Sequence, residues 1–123
     1  MRTLLDANAV LRYLLEDNPE QADITARAIK AGAEVTPEVI AECVYVLAGA
    51  YHVPRQDIAE CLGILLDEVA CQRKVPVASA LGLYSASSLD FVDCLLAAEH
   101  GECGREVLTF DKKLNALMRK LDE

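Results

Sequence analysis

The chain has 123 residues and a formal net charge of −8 at pH 7, from 12 basic and 20 acidic side chains. At this length we expect one domain with a single core, spanning residues 1–123. Hydrophobic residues make up 53% of the chain, which excludes an intrinsically disordered segment. No apolar run approaches the ~18 residues that a membrane span requires, and Asp6 interrupts the start where a signal peptide needs continuous apolar residues. The sequence therefore predicts a cytoplasmic protein with no membrane contact.

The cysteines and the charge narrow the function classes further. The five cysteines are odd in number and form no C-x-x-C pair, so we expect reduced thiols that fill the core, and no zinc site. The acidic balance argues against a nucleic-acid partner, because phosphate-binding surfaces are usually basic. That objection no longer holds if some of the acids bind a metal, since the cation would cancel their charge.

The first half of the chain is predicted to alternate short strands with helices. Asn18-Pro19 and Thr36-Pro37 each combine an N-capping side chain with a proline in the first helical turn. Apolar residues recur at helical spacing after each of these signals. The predicted elements are a buried strand over Arg2–Leu5, helices over Asn8–Glu16 and 19–31, a strand over Glu34–Thr36, a helix over 37–51, and a helix opened by Pro54 that includes residues 58–70.

The second half continues the same pattern. Its predicted elements are a third strand over Val75–Ala78, a short helix over Ser79–Ser87, a helix over 89–100, a fourth strand over Glu106–Phe110 and a helix over Asp111–Leu121. Strands that alternate with helices indicate a parallel sheet covered by helices on both faces. We therefore predict an α/β protein, a three-layer α/β/α sandwich with a short-stranded parallel sheet.

Four carboxylates are predicted to meet at one edge of this sheet. Asp6 and Asp111 directly follow the first and fourth strands, and ligands bind where parallel strands end. Asp93 lies in the first turns of a helix that needs only to begin near the same edge. Glu42 lies roughly 7.5 Å into its helix and flanks an apolar stripe, from which it can reach back toward the edge.

Carboxylates gathered in this way repel each other and raise each other's pKa unless a cation compensates. All-oxygen sites rich in acids suit Mg²⁺ or Mn²⁺. Such ions activate water and stabilise the charge that develops when a phosphodiester is cleaved. The need for a compensating cation is greatest at Asp93, because the rest of its helix is apolar on most sides and an unpaired buried carboxylate is unfavourable.

Several of these residues also have a purely structural interpretation. An aspartate after a strand often caps the next helix, and an acid in a first turn gains about 0.3–1 kcal/mol from the helix dipole. The structural alternatives are helix caps for Asp6 and Asp111, a solvated position for Glu42, the helix dipole for Asp90, an ordinary strand position for Thr109 and a surface helix end for His100.

Four segments resemble the PIN-domain ribonucleases, and among them the VapC-type toxins of prokaryotic toxin–antitoxin pairs. In chain order these segments are LLDANAVLRYLLEDNPEQ, TPEVIAECVYVLAGAY, LDFVDCLLAAEHG and VLTFDKKL. The order and spacing of the four motifs match over nearly the whole chain. The roles that the resemblance implies are first acid for Asp6, its orienting neighbour for Asn8, second acid for Glu42, core acid for Asp93, its companion for Asp90, and the polar positions of the last motif for Thr109 and Asp111.

The resemblance implies a Mg²⁺- or Mn²⁺-dependent endoribonuclease. It also implies a homodimer that is neutralised by an antitoxin, a segment of which covers the active site. An enzyme that acts on RNA needs some basic surface near its acids. The candidates for that surface are Arg2, Arg12, Arg55, Arg73, Lys74, Arg105, Lys112 and Lys113.

Two other functions remain open from the residues alone. One is an aspartyl-phosphate phosphotransfer domain, which also places an aspartate after its first strand. A haloacid-dehalogenase type would have a second aspartate where this chain has Asn8, and a receiver type would leave Glu42 and Asp93 without roles. The other is a non-catalytic PIN-like module for binding or dimerisation, with acids that serve only partner contact.

Overall fold

The structure, a computed structural model, describes residues 2–123. Over this range the chain forms a small sheet and a larger number of helices. In chain order the elements are β1 (Thr3–Leu4), α1 (Ala7–Leu15), α2 (Pro19–Gly32), β2 (Ala33–Val35), α3 (Pro37–Gly49), α4 (Arg55–Glu68), β3 (Ala70–Cys71), α5 (Lys74–Ala86), α6 (Phe91–Cys103) and α7 (Lys112–Leu121).

The strands form a parallel sheet in the order β1-β2-β3. Thr3 pairs with Ala33, and Glu34 pairs with Ala70. The backbone N–H of Leu5 extends the ladder by donating to the Glu34 carbonyl at 2.9 Å. All three strands therefore end at one edge, where α1 and α3 begin. The predicted α/β/α architecture with a short-stranded parallel sheet is confirmed.

The helices begin where local capping chemistry predicts. The Asn18 side chain accepts a hydrogen bond from the backbone of Gln21, and Thr36 accepts one from Val39. In each case the following proline occupies the first helical position, where its missing N–H leaves no bond unmade. Caps of this kind each contribute about 1 kcal/mol, which is why the starts of α2 and α3 were predictable from four residues.

The core lies between the sheet and the helices that cover it. Two of the five cysteines, Cys43 and Cys94, are buried within it, and all five thiols are free, as predicted. Cys103 differs, because it is exposed at the end of α6. The largest fully buried side chains are Ile40, Leu47, Ile58, Leu62, Leu65, Leu66, Phe91 and Leu114.

The predicted third strand is wrong. Val75–Ala78 belongs to α5, which begins at Lys74, and the third strand is instead Ala70–Cys71. The two valines on either side of Pro76 favoured a strand on propensity. Proline in the first turn of a helix is nevertheless tolerated, and the buried residues of α5 follow helical spacing, so packing decided the outcome.

The predicted fourth strand is also wrong. Glu106–Phe110 lies outside regular secondary structure and joins no strand of the sheet. Val107 packs instead against the small cluster of Ala97, Leu114 and Met118 between α6 and α7. Leu108 and Phe110 point outward and are 87% and 91% exposed.

The first strand is consequently an edge strand, and the prediction that it is buried is wrong. With Glu106–Phe110 attached to α6 and α7, β1 has a neighbour only on the β2 side. Thr3 is exposed and Leu4 is 64% exposed, while Leu5, just beyond the strand, enters the core. The short-stranded sheet therefore ends at β1.

Candidate active site: the acids around the start of helix α6

The first turn of α6 carries two of the predicted acids. Asp90 is the N-cap, and its carboxylate accepts a hydrogen bond from the backbone N–H of Asp93 at 2.9 Å. Because α6 begins at Phe91 and not at residue 89, Asp93 is the third residue of the helix. There the positive end of the helix dipole favours its charge, which partly explains how an apolar helix accommodates it.

The environment of Asp93 nevertheless disfavours its ionised form. Its side chain is half-buried, and its pKa is raised, first by burial and then by the nearby charges of Asp90 and Asp111. Asp111 belongs to a different element, so the fold brings carboxylates from two separate segments into electrostatic contact. Two like charges beside a half-buried carboxylate form an arrangement that a cation would relieve.

Asp111 reaches this position from the start of α7. Its carboxylate caps that helix by accepting from the backbone of Leu114 at 2.8 Å. Thr109 shapes the turn, because its hydroxyl accepts from the Asp111 N–H at 3.1 Å and its carbonyl accepts from the Asn115 side chain at 2.9 Å. The structure therefore gives Thr109 a role in orienting Asp111, although the strand expected before it does not form.

Asp6 and Asn8 lie at the start of α1, at the carboxyl end of β1. Asp6 caps the helix by accepting from the Ala9 N–H at 2.8 Å, and it is exposed. Both side chains line a small cavity of about 170 Å³, together with Arg12 and residues of α2. The first acid is thus where the sequence placed it, in solvent contact at the sheet edge.

Glu42 and Asp6 both lie near the buried thiol of Cys43. Glu42 is exposed on α3, next to the buried Cys43. The pKa of the Cys43 thiol is raised to about 12 by burial, with further contributions from the charges of Glu42, Cys61 and Asp6. Its Sγ approaches the Ala7 carbonyl at 3.9 Å, which ties α3 to the start of α1.

The charges of Asp90 and Asp111 thus act on the pKa of Asp93, and those of Glu42 and Asp6 act on the pKa of Cys43. Among residues 2–123, no group of three or more His, Cys, Asp or Glu side chains is arranged to hold a metal ion. The four-acid metal site stays a prediction. The donor chemistry fits Mg²⁺ or Mn²⁺, because such ions bind through one or two carboxylates and complete their shell with water and substrate oxygens.

Four of the eight basic side chains predicted to line an RNA groove have partners within the fold. Arg73 pairs with the buried Glu99 at 3.4 Å, and Lys74 donates to the Val69 carbonyl at 2.7 Å. Arg12 contacts Asp17 and Tyr51, and Arg55 donates to two backbone carbonyls. By contrast, Lys112 and Lys113 are exposed directly after Asp111 and take part in none of the ion pairs of the described chain.

Sequence reasoning missed Tyr45, which lies near the start of α6. Tyr45 of α3 is half-exposed, and its pKa is raised by burial and by the charges of Asp90 and Asp93, against a backbone hydrogen bond from Val92 that lowers it. Tyr45 follows Glu42 by three residues, which places both on neighbouring positions of one helix surface. That spacing was the available signal for Tyr45.

His100 does not join the acids. Its Nδ1 lies 2.9 Å from the Arg105 carbonyl, and its Nε2 lies 2.8 Å from the Asp122 carboxylate. It therefore links the end of α6 to the end of α7, consistent with the helix-end alternative. Its pKa is raised by both partners, the carbonyl first.

The comparisons with known proteins agree with the fold and the motif order. The PIN domain family matches residues 3–120. The chain is also 30% identical over 122 residues to the VapC ribonuclease of Aquifex aeolicus (strain VF5), covering 93% of this chain and 90% of that relative. No solved structure gives a significant match. The chain therefore belongs to the PIN domain family, and its type is that of the VapC proteins.

The helices also bear on the membrane prediction. Within residues 2–123, none is both long enough and apolar enough to cross a bilayer.

Proposed function

We propose that this protein is a divalent-metal-dependent endoribonuclease and the toxin of a type II toxin–antitoxin pair. Two findings support the proposal: the similarity to a VapC ribonuclease over nearly the full length, and the half-buried Asp93 carboxyl, whose pKa is raised first by burial and then by the charges of Asp90 and Asp111. The second observation carries the chemistry, because a half-buried acid facing two other acids is where a cation would be stabilised.

In the proposed site each acid has its own task. Asp93 and Asp111 would hold Mg²⁺ or Mn²⁺, with Asp6 and Glu42 completing the acidic edge from α1 and α3. When bound, the ion supplies a lowered pKa for water and stabilisation of charge on the phosphate oxygens. Asp90 fixes the first turn of α6, Thr109 orients Asp111, and Asn8 lies beside Asp6.

The partners in this proposal follow from the same similarity. An RNA strand would approach the acidic edge, with the exposed Lys112 and Lys113 available for its phosphates. A cognate antitoxin would neutralise the enzyme by covering that edge. The protein would act in the cytoplasm, as a homodimer.

The test substitutes the acids without changing their shape. We expect Asp93→Asn and Asp6→Asn to lose RNA cleavage by more than about 100-fold, the upper range for an outer-shell partner of a metal. Both should stay folded, because asparagine at position 6 can still cap α1 and the Asp93 side chain caps no helix. Cleavage is measured by sequencing RNA ends after brief expression, with the exposed Asp67→Asn in α4 as the matched control. Full activity in both Asp6→Asn and Asp93→Asn would contradict the proposal.

A second candidate, the non-catalytic PIN-like module, has one specific observation in its favour. Asp6, Asp90 and Asp111 each make an N-cap hydrogen bond, so the fold alone gives all three a use. Titration with Mn²⁺ followed by calorimetry separates the two functions. Binding that disappears in Asp93→Asn favours the nuclease, and no acid-dependent binding favours the module.

A further inference from the structure

We propose that Arg55 is a positioning residue for the acids at the start of α6. It holds the loop between α5 and α6, residues 87–90, in the conformation in which Asp90 caps the first turn of α6, the turn that carries Asp93. This proposal rests on the proposed function for its catalytic consequence, while its structural part can be tested without metal or RNA.

The guanidinium of Arg55 donates hydrogen bonds to the last turn of α5, just before this loop, and to Leu89 within the loop. Its Nε donates to the Tyr84 carbonyl at 2.8 Å, and its Nη2 donates to the Leu89 carbonyl. The guanidinium carbon also lies 3.6 Å from the centroid of the Tyr84 ring. One side chain thus combines two charge-assisted hydrogen bonds with a cation–π contact, and all three arise from residues far from it along the chain.

The location of Arg55 in its own helix indicates that it serves other elements. It is the first residue of α4, where the positive end of the helix dipole disfavours a cation. Its bonds go instead to the end of α5, whose last turn holds no basic residue. Tyr84 is among the last residues of α5, and carbonyls there lack a helical partner. Arg55 therefore supplies the charge that α5 does not carry itself.

The contact between Arg55 and Leu89 lies directly beside the acids. Leu89 immediately precedes Asp90, the N-cap whose carboxylate accepts from the Asp93 N–H. On the other side, the Tyr84 ring packs edge-on against Phe91, the first residue of α6, at 6.4 Å between centroids. The residues before and after Asp90 are both fixed through Arg55, so the direction of the first turn is fixed as well.

Arg55 acts on the site only through this backbone. It forms no ion pair with an acid in the described part of the chain, and its charge is absent from the causes that shift the pKa of Asp93. Lysine at the same place would keep the charge near the end of α5. It could not span two carbonyls with a planar fork or lie flat on the Tyr84 ring. Arg55→Lys therefore separates positioning from simple charge.

The first measurement is amide hydrogen exchange in the metal-free protein. In Arg55→Lys we expect the Asp93 amide to exchange several-fold faster than in the wild type, because its cap is no longer aligned. The Ala9 amide provides an internal reference, since it donates the same kind of N-cap hydrogen bond to Asp6 and has no connection to Arg55. Arg27→Lys, on the exposed side of α2, is the matched substitution and should change neither amide.

The second measurement joins this loop to the proposed chemistry. In Arg55→Lys we expect kcat for a short RNA substrate to fall about 10-fold or more, with KM within about two-fold, as for the loss of an outer-shell partner. The dissociation constant for Mn²⁺ should rise in parallel. Urea unfolding monitors the fold, so that the kcat change is taken at matched folded fractions.

The outcomes separate cleanly. Unchanged Asp93 exchange in Arg55→Lys overturns the proposal, and so does a loss of kcat no larger than the loss of folded protein. Faster exchange at Asp93 alone, with Ala9 unaffected, supports it. If wild-type protein neither binds Mn²⁺ nor cleaves RNA, the proposed function fails, and the exchange comparison still decides whether Arg55 positions the loop.

Discussion

The two segments that carry Asp93 and Asp111 are held in different ways. The start of α6 is held from outside by Arg55 of α4, and its first residue Phe91 is fully buried. The start of α7 is fixed mainly by its own turn, through the Asp111 cap and the Thr109 contacts, above a small apolar cluster. The proposed site therefore has one half that is held by other elements and one half that is held by its own turn.

The two phenylalanines of the chain give the largest test of this difference. Phe91 is 0% exposed and Phe110 is 91% exposed. Phe91→Ala should lower the free energy of unfolding by about 3–5 kcal/mol, because it leaves a cavity in the core. Phe110→Ala should change it by less than about 0.5 kcal/mol, as expected for a surface site. Urea denaturation measures both, and a large loss in Phe110→Ala would show that the second segment is held far more firmly than its contacts indicate.

A smaller effect tests the cap that holds the second segment. Asp111→Ala should cost about 1 kcal/mol of unfolding free energy by removing the bond to the Leu114 N–H, whereas Asp111→Asn should keep most of that stability. RNA cleavage should fall in both variants. Equal stability of the two variants would mean that the cap contributes nothing to docking α7.

The raised pKa of Asp93 predicts a pH dependence for the first segment. Because the folded state holds this proton more tightly than the unfolded state, stability falls as the pH rises from about 3.9 through the raised pKa. Asp93→Asn should therefore unfold at a higher urea concentration than wild type at neutral pH, and the gap should close at low pH. Saturating Mg²⁺ should also close it by stabilising the wild type alone. A variant less stable than wild type at neutral pH would contradict this assignment.

The smallest expected effect concerns the contact between the far ends of α6 and α7. His100 lies between two acceptors, the Arg105 carbonyl and the Asp122 carboxylate, so both ring nitrogens donate only when the ring is protonated. Its pKa is raised, so the added stability is present below about pH 6.5 and is lost as the pH rises through the folded value. Glu106 and Arg119 line the same surface cavity as His100 and Asp122.

This histidine contact can be followed residue by residue. Asp122→Asn should lower the pKa of His100, measured by NMR titration, and should flatten the pH dependence of amide exchange in α7. The Asp93 amide, at the opposite end of α6, serves as the reference, and its exchange should not change. An unchanged pKa of His100 in Asp122→Asn would contradict the contact between His100 and Asp122.

Local chemistry explains which parts of the fold were predictable. The starts of α2 and α3 depend on a capping residue and the proline after it, so four residues suffice. The strands depend on partners elsewhere in the chain, and propensity alone placed one of them at Val75–Ala78, inside α5. Glu106–Phe110 has the composition of a strand, yet its inward side chain Val107 found a place between α6 and α7.

The site shows the same division. The acids are recognisable because the chemistry needs their side chains, and the structure places Asp6, Asp93 and Asp111 at helix starts. Arg55 was assigned to an RNA groove because a basic side chain near acids favours that interpretation. Its partners are backbone carbonyls 29 and 34 residues away, and a carbonyl leaves no signature in a sequence. Positioning through the backbone is therefore the part of the site that only the fold could supply.

The segment from Gly104 to Phe110 lies outside regular secondary structure, which has a consequence for the integrity of the chain. Proteases cut where an accessible backbone lies outside regular structure, and Leu108 and Phe110 present large apolar side chains of the kind a chymotrypsin pocket accepts. A single cut after either residue would leave Asp111 on a fragment that carries little besides α7. The four acids of the proposed enzyme would then lie on two polypeptides, so one exposed peptide bond is enough to divide the site.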